Sequence, residues 1–298
     1  MDLSTIKLNL TCVLSIFLFA LSFPAAEALL SNWGFLSLAA VRSSLAVILI
    51  FCLWVFLEGS DKIFSADWLK GLWVGFFGFG LGSLLLLATQ FLTSALIAAI
   101  AATLMPVAGV ILELLFDKRR LTSWFLLGLV FVLFGGIFTI GPDIFEAKFG
   151  IGLLSGILAV GSFAWGSRAA VKKLPKLTAL GQTAITSFGM WVCCSFVFLI
   201  CLSFKTPFTN IPLINFENIF LLVIYSWLGM GVSQLFWIKG VNGLGIGIAS
   251  FHLNATPLYV MLVLFLLGDN WNWDQVTGAL IVIFGIIIAQ KKSYNYVR

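Results

Sequence analysis

Charge is the scarcest thing in this chain. Only 10% of its 298 residues are Asp, Glu, Lys or Arg, where soluble domains carry about 25%. A water-soluble fold would lack the charges to cover its surface, so lipid must be the solvent for most side chains. Histidine occurs once, at His252. The five cysteines (Cys12, Cys52, Cys193, Cys194 and Cys201) lie inside apolar runs, with no CxxC or Cys/His spacing. That pattern suggests neither a zinc site nor a disulfide framework, and no metal or cofactor is expected. There is no phosphate-cradling glycine loop, catalytic triad or heptad zipper. An enzyme is therefore unsupported, and ATP-driven transport would need another chain. The net charge of +5 comes from short connections rather than one basic face, so nucleic acid is not an expected partner.

Long apolar runs are what the chain does have. They fall at 8–30, 33–57, 68–91, 93–116, 122–141, 150–169, 178–203, 217–238, 244–267 and 274–290. Each approaches or exceeds the roughly 20 residues that a helix needs to cross the hydrocarbon core. Only helices and closed barrels satisfy every backbone group in lipid, and runs without alternation predict helices. The fold class expected is an all-α integral membrane protein with ten transmembrane helices. The first 28 residues have the look of a signal peptide, with Lys7, an apolar stretch and Ala26-Glu27-Ala28. More membrane helix comes directly after them, so they read as the first span.

Ten spans sort the basic residues. Of 17 lysines and arginines, fourteen fall on one side, including those of DKRR at 117–120 and KKLPK at 172–176. Only Lys148 and Lys205 fall on the other, and Arg42 stays inside a span. This positive-inside bias predicts both termini in the cytoplasm. The halves also resemble each other at an offset near 150: Pro106 matches Pro257, Asp117 matches Asp269, Gly128 matches Gly278, and Gly135 matches Gly285. Five spans per half make the second enter from the opposite face. The expectation is two inverted-topology five-helix repeats, residues 1–141 and 142–298, the architecture of many secondary transporters.

Several stretches carry a family resemblance. They are SFPAAEALL, LAAVRSSLAV and LLLLATQFLTSALIAAIAATLMPV in the first half, then LAVGSFAWGSRAAVKKLP, LTALGQTAITSFG and GVSQLFWIKGVNGLGIGIASFHLNATPLY in the second. In order, spacing and duplication the chain resembles the EamA family of the drug/metabolite transporter superfamily over essentially its whole length. The resemblance implies ten helices around a central cavity, and transport of a small metabolite, often an amino acid and commonly outward, with a small-molecule substrate and the bilayer as partners. The family often has lysine where Glu27 stands, and often Gly-Glu where this chain has Phe116-Asp117. A multi-pass protein of the bacterial inner membrane is expected. The alternatives are a channel, or a lipid- or drug-translocating member.

Charges and polar groups inside the spans are the site candidates. A buried charge at a helix centre costs at least about 2.5–3.5 kcal/mol. Glu27 and Arg42 lie on consecutive predicted helices and could form an ion pair. Alternatively, Arg42 could fork a substrate carboxylate bidentately. Gln182 occupies the place of Arg42 in the second half. Trp165, Gln234 and Trp237 are candidates for an aromatic and polar cavity wall. In the ninth window, His252, Asn254 and Tyr259 are candidates for the midplane, His252 with the capacity to couple protons. Pro106 and Pro257 free backbone carbonyls near Ala102 and Leu253 and predict helix breaks beside a pathway. Gly71, Gly75, Gly78 and Gly82 recur every three or four residues in the third window and predict close helix packing.

Overall fold

A computed structural model describes residues 3–117, 123–140 and 147–290. Lys118 to Arg120, the GPD turn at 141–143, the boundary between residues 141 and 142, and both chain ends lie outside those residues. The long helices are α1 (Leu3–Leu30), α2 (Phe35–Glu58), α3 (Trp68–Leu92), α4 (Ala95–Phe116), α5 (Ser123–Ile140), α6 (Ala147–Lys173) and α7 (Ala179–Ser203), then α8 (216–244), α9 (246–266) and α10 (Trp273–Gln290). Seven stretches are long and apolar enough to cross a membrane, among the described residues. One of them, Phe216–Leu266, is 51 residues long, about 76 Å at 1.5 Å per residue, far more than one crossing needs. It bends at Gly245, where φ is +78° and ψ is 160°. Only glycine takes that backbone readily.

Local chemistry sets the ends. Asp67 caps α3 by accepting from the Lys70 amide at 3.3 Å, and Lys70 Nζ lies 2.5 Å from its carboxylate. That ammonium holds the Asp67 carboxyl below the usual carboxylate range. Thr93 ends α3, and Ser94 caps α4 by accepting from Ile97 N–H, so the one-residue gap between the apolar runs 68–91 and 93–116 is a hairpin. Glu27 accepts from Ala95 N–H at 3.2 Å, and Glu113 accepts from Gly247 N–H at 3.1 Å. A carboxylate thus meets the positive end of both α4 and α9, where helix dipoles favour anions.

Four helices are irregular. α3 winds as a π-helix over Gly75–Gly80, and α8 does so over Ile224–Val232. α4 turns at Thr103-Leu104 and restarts at Met105. α9 is 3₁₀ over Ser250–Ala255 and restarts as α-helix at Thr256. Pro106 and Pro257 therefore stand in the first turn of a restarted helix, where a missing N–H costs nothing.

The main packing runs between the two halves. α5 packs on α10, α3 on α6 and α7, α2 on α7, α1 on α8 and α9, and α4 on α6 and α9. Along α3 the contact is made by glycine. A Cβ on Gly78 would run into the backbone of Gly166, and one on Gly75 into the backbone of Thr186 and Gly189. The outward surface is oily: Phe56, Leu115, Val130, Ile151 and Phe216 are all exposed. Water would punish so broad an apolar surface, whereas lipid does not.

Candidate functional site

The central chamber is built from both halves. It leaves about 90 Å³ of space open to the centre of a water molecule. α1 contributes Ser15 and Phe19, α2 Arg42, and α3 Phe79 and Ser83. The breaks in α4 and α9 contribute Ala102, Met105 and Leu253, α6 adds Phe163 and Ser167, and α8 adds Met230, Gln234 and Trp237. Phe79 and Met230 come from the two π segments. A π turn re-aims side chains relative to the rest of its helix, and such turns are frequent at functional sites.

Among the described residues, Arg42 is the one charged group lining the chamber. It is only 7% exposed. Its Nη1 donates to Tyr225 Oη at 3.1 Å, and its guanidinium carbon sits 4.0 Å from the Tyr225 ring centroid. A desolvated cation–π contact contributes about 2 kcal/mol, which with the hydrogen bond offsets part of the burial cost. Its Nε has no hydrogen-bond partner, and neither has Gln234 Nε2. Both unpartnered donors belong to residues that line the same chamber. Trp237 instead spends its N–H on Ser167 Oγ at 2.8 Å, and Ser15 donates to Ser233 O at 2.7 Å.

The Glu27–Arg42 ion pair, one of the two readings of these charges, is not formed. α1 lies mainly against α8 and α9, and α2 against α7 and α8. The Glu27 carboxylate meets Ala95 N–H, while Arg42 meets Tyr225.

The other sequence candidates divide. Gln234 and Trp237 line the chamber. Gln182 does not: it is 1% exposed, donates to Leu174 O at 2.9 Å and accepts from Asn242 Nδ2 at 2.7 Å. Those bonds tie α7 to the end of α6 and to α8. Trp165 faces a separate, open groove with Trp73 and Phe77, and Lys173 Nζ lies 5.6 Å from its ring. His252 is half-buried with Nδ1 3.2 Å from Ala249 O. Asn254 donates to Phe251 O at 2.8 Å, and its Oδ1 is unpartnered. Tyr259 packs edge-on against Phe17 at 5.6 Å. None of these three lines the chamber. The 3₁₀ winding of Ser250–Ala255 turns His252 and Asn254 away from their α-helical positions.

Sequence reading passed over Tyr225 and the chamber serines. The serines had one visible signal, since Ser15 and Ser83 interrupt apolar runs. Tyr225 had none, because its partner lies 183 residues away.

The same outline recurs in known proteins. A solved structure described only as the crystal structure of a protein superposes with a TM-score of 0.72, at 15% identity, over 96% of this chain and 95% of its own. The protein named "Uncharacterized transporter YyaM" of Bacillus subtilis (strain 168) is 24% identical over 263 residues, 85% of this chain and 83% of its own. The model of the EamA-like transporter family matches twice, at residues 6–141 and 150–290. The two matches take in nearly every residue of the helices described above, and the chain belongs to the EamA-like transporter family.

Proposed function

We propose that the chain is a secondary transporter that carries a small metabolite, such as an amino acid, across the bacterial inner membrane by alternating access, in the outward direction. Arg42 anchors the substrate's carboxylate in the central chamber. The observation that carries this reading is a buried guanidinium that lines a chamber with one donor unpartnered. Its burial costs free energy that a passing carboxylate would offset by charge-assisted hydrogen bonds. Gln234 is a second donor to the substrate and Trp237 part of the apolar wall.

Ten crossings, with both termini cytoplasmic and repeats at 1–141 and 142–298, suit this reading. Support comes from the helix pairing. Exchanging each helix for the one five places away turns α1–α8 into α6–α3 and α1–α9 into α6–α4, and leaves α2–α7, α4–α9 and α5–α10 in place. Inverted repeats of this kind hold the substrate between them and rock about it. Coupling to protons would fall to His252, beside the chamber-lining Leu253.

Proteoliposomes test the reading with a panel of amino acids, simple monocarboxylates, nucleosides and cationic drugs, with and without a pH gradient. Expected is uptake of at least one solute bearing a carboxylate, reduced by about 10- to 150-fold in Arg42→Gln, the loss of one hydrogen bond to a charged group. Unchanged uptake by a correctly folded Arg42→Gln protein would remove Arg42 from the site. Transport by His252→Ala with its full pH response would end the proton assignment.

A further inference from the structure

The chamber is one-sided in charge. Arg42 brings a fixed positive charge, and among the described residues no aspartate or glutamate lines the walls. The fully buried unpartnered groups on its lining residues, Arg42 Nε and Gln234 Nε2, are both donors. The remaining polar lining is four hydroxyls. Ser15 gives its proton to Ser233 O, Ser83 points its own at Met190 Sδ, and Ser167 accepts from Trp237. The rest is apolar and rich in rings, with Phe19, Phe79, Phe163 and Trp237.

From this we infer that the chamber selects organic monoanions, a carboxylate on an apolar and preferably flat body, and discriminates against zwitterions. The inference rests on the reading of Arg42 as the substrate anchor and, within that reading, puts a monocarboxylate in place of the amino acid given above as the example of a substrate. A monocarboxylate neutralises Arg42 and occupies the free donors. An α-amino acid held by the same fork brings its ammonium within a few ångströms of the guanidinium, in surroundings of low dielectric, with no acidic side chain to receive it. Like charges that close, out of water, repel strongly. A bare cation meets no carboxylate among the described lining residues and is repelled by Arg42. The aromatic walls suit a flat ring, which packs edge-on or offset against them.

The test uses four probes of matched shape on the purified full chain in lipid nanodiscs: 3-phenylpropanoate, phenylalanine, 2-phenylethylamine and 3-phenylpropan-1-ol. Binding is read by calorimetry, for the wild-type protein and for Arg42→Gln and Gln234→Leu. Expected is that 3-phenylpropanoate binds at least about tenfold more tightly than phenylalanine, a difference of about 1.4 kcal/mol. The amine and the alcohol should bind most weakly. Arg42→Gln should abolish the preference for the acid, and Gln234→Leu should reduce it. If phenylalanine binds as well as the acid and both are lost in Arg42→Gln, the monoanion inference is overturned while Arg42 remains the anchor. If the acid binds equally to wild type and to folded Arg42→Gln, the anchor falls and the inference with it. Binding of neither acid also overturns it. Should Arg42→Gln not fold, Arg42→Lys takes its place. It should keep the preference for the acid with weaker binding, and a preference for phenylalanine there would overturn the inference.

Discussion

Two π-helical stretches, Gly75–Gly80 in α3 and Ile224–Val232 in α8, share an irregular winding and do opposite work. The first closes a dry seam. Its glycines let the backbones of α6 and α7 come so near that no side chain fits between them. The second opens onto the chamber. It presents Tyr225 to Arg42 and sets Gly229 and Met230 into the wall. Phe79 is the one side chain of the first stretch that reaches the chamber. An extra residue in a turn is therefore a local device, and the neighbouring side chains decide whether it packs or binds.

The sharpest way to break the contrast is to add bulk to the seam. Gly78→Leu drives a side chain into the Gly166 backbone. Overpacking costs about 1–3 kcal/mol or more, and backbone cannot swing aside. The expected outcome is loss of the monodisperse peak in detergent gel filtration. Gly161→Ala is the counterpart, because a methyl group there would meet nothing within 4 Å. It should leave the peak in place and, by stiffening the unfolded chain, gain about 0.5–1 kcal/mol in a melt. Equal behaviour of the two variants would show that the seam is not tight.

A smaller effect is expected from the binding stretch. Tyr225→Phe keeps the ring under Arg42 and removes the hydroxyl that accepts from Nη1. Losing a hydrogen bond to a charged group costs about 1.5–3 kcal/mol. The variant should fold, melt earlier, and show altered substrate affinity through the freed guanidinium. A melt identical to wild type would mean that the ring alone holds Arg42.

The smallest effect is expected at a site belonging to neither stretch. Lys70 lowers the Asp67 carboxyl, so its contribution is present above the usual carboxylate range and fades as pH falls through the lowered value. The pair is exposed and screened by salt. Asp67→Asn should melt with wild type at neutral pH, and the two acid-denaturation curves should nearly coincide.

Much of the fold could be read from run length, since lipid demands about 20 apolar residues per crossing. The hairpin at Thr93 showed as a one-residue gap between two apolar runs, and the breaks before Pro106 and Pro257 through prolines that cannot continue a helix. The seam was visible as spaced glycines along α3. The site was harder to read. Arg42 stood out because a lone guanidinium in an apolar run needs a reason, but its partner did not, because Tyr225 meets it only after α2 and α8 pack. Gln182 looked equivalent to Arg42 by position, yet its two hydrogen bonds are spent on holding α7 in place. His252 and Asn254 were placed by α-helical spacing, and the 3₁₀ winding of that segment turned them elsewhere.

The pairing of helices across the midpoint has a consequence for biogenesis. α1 to α5 leave the ribosome before α6 to α10, the helices against which most of them pack, have been made. During that interval the glycine face of α3 and the cation on α2 stand in the membrane without their final neighbours. A half-built bundle therefore stands with its sockets vacant, and they fill only as the helices of the second half arrive, α10 against α5 among them.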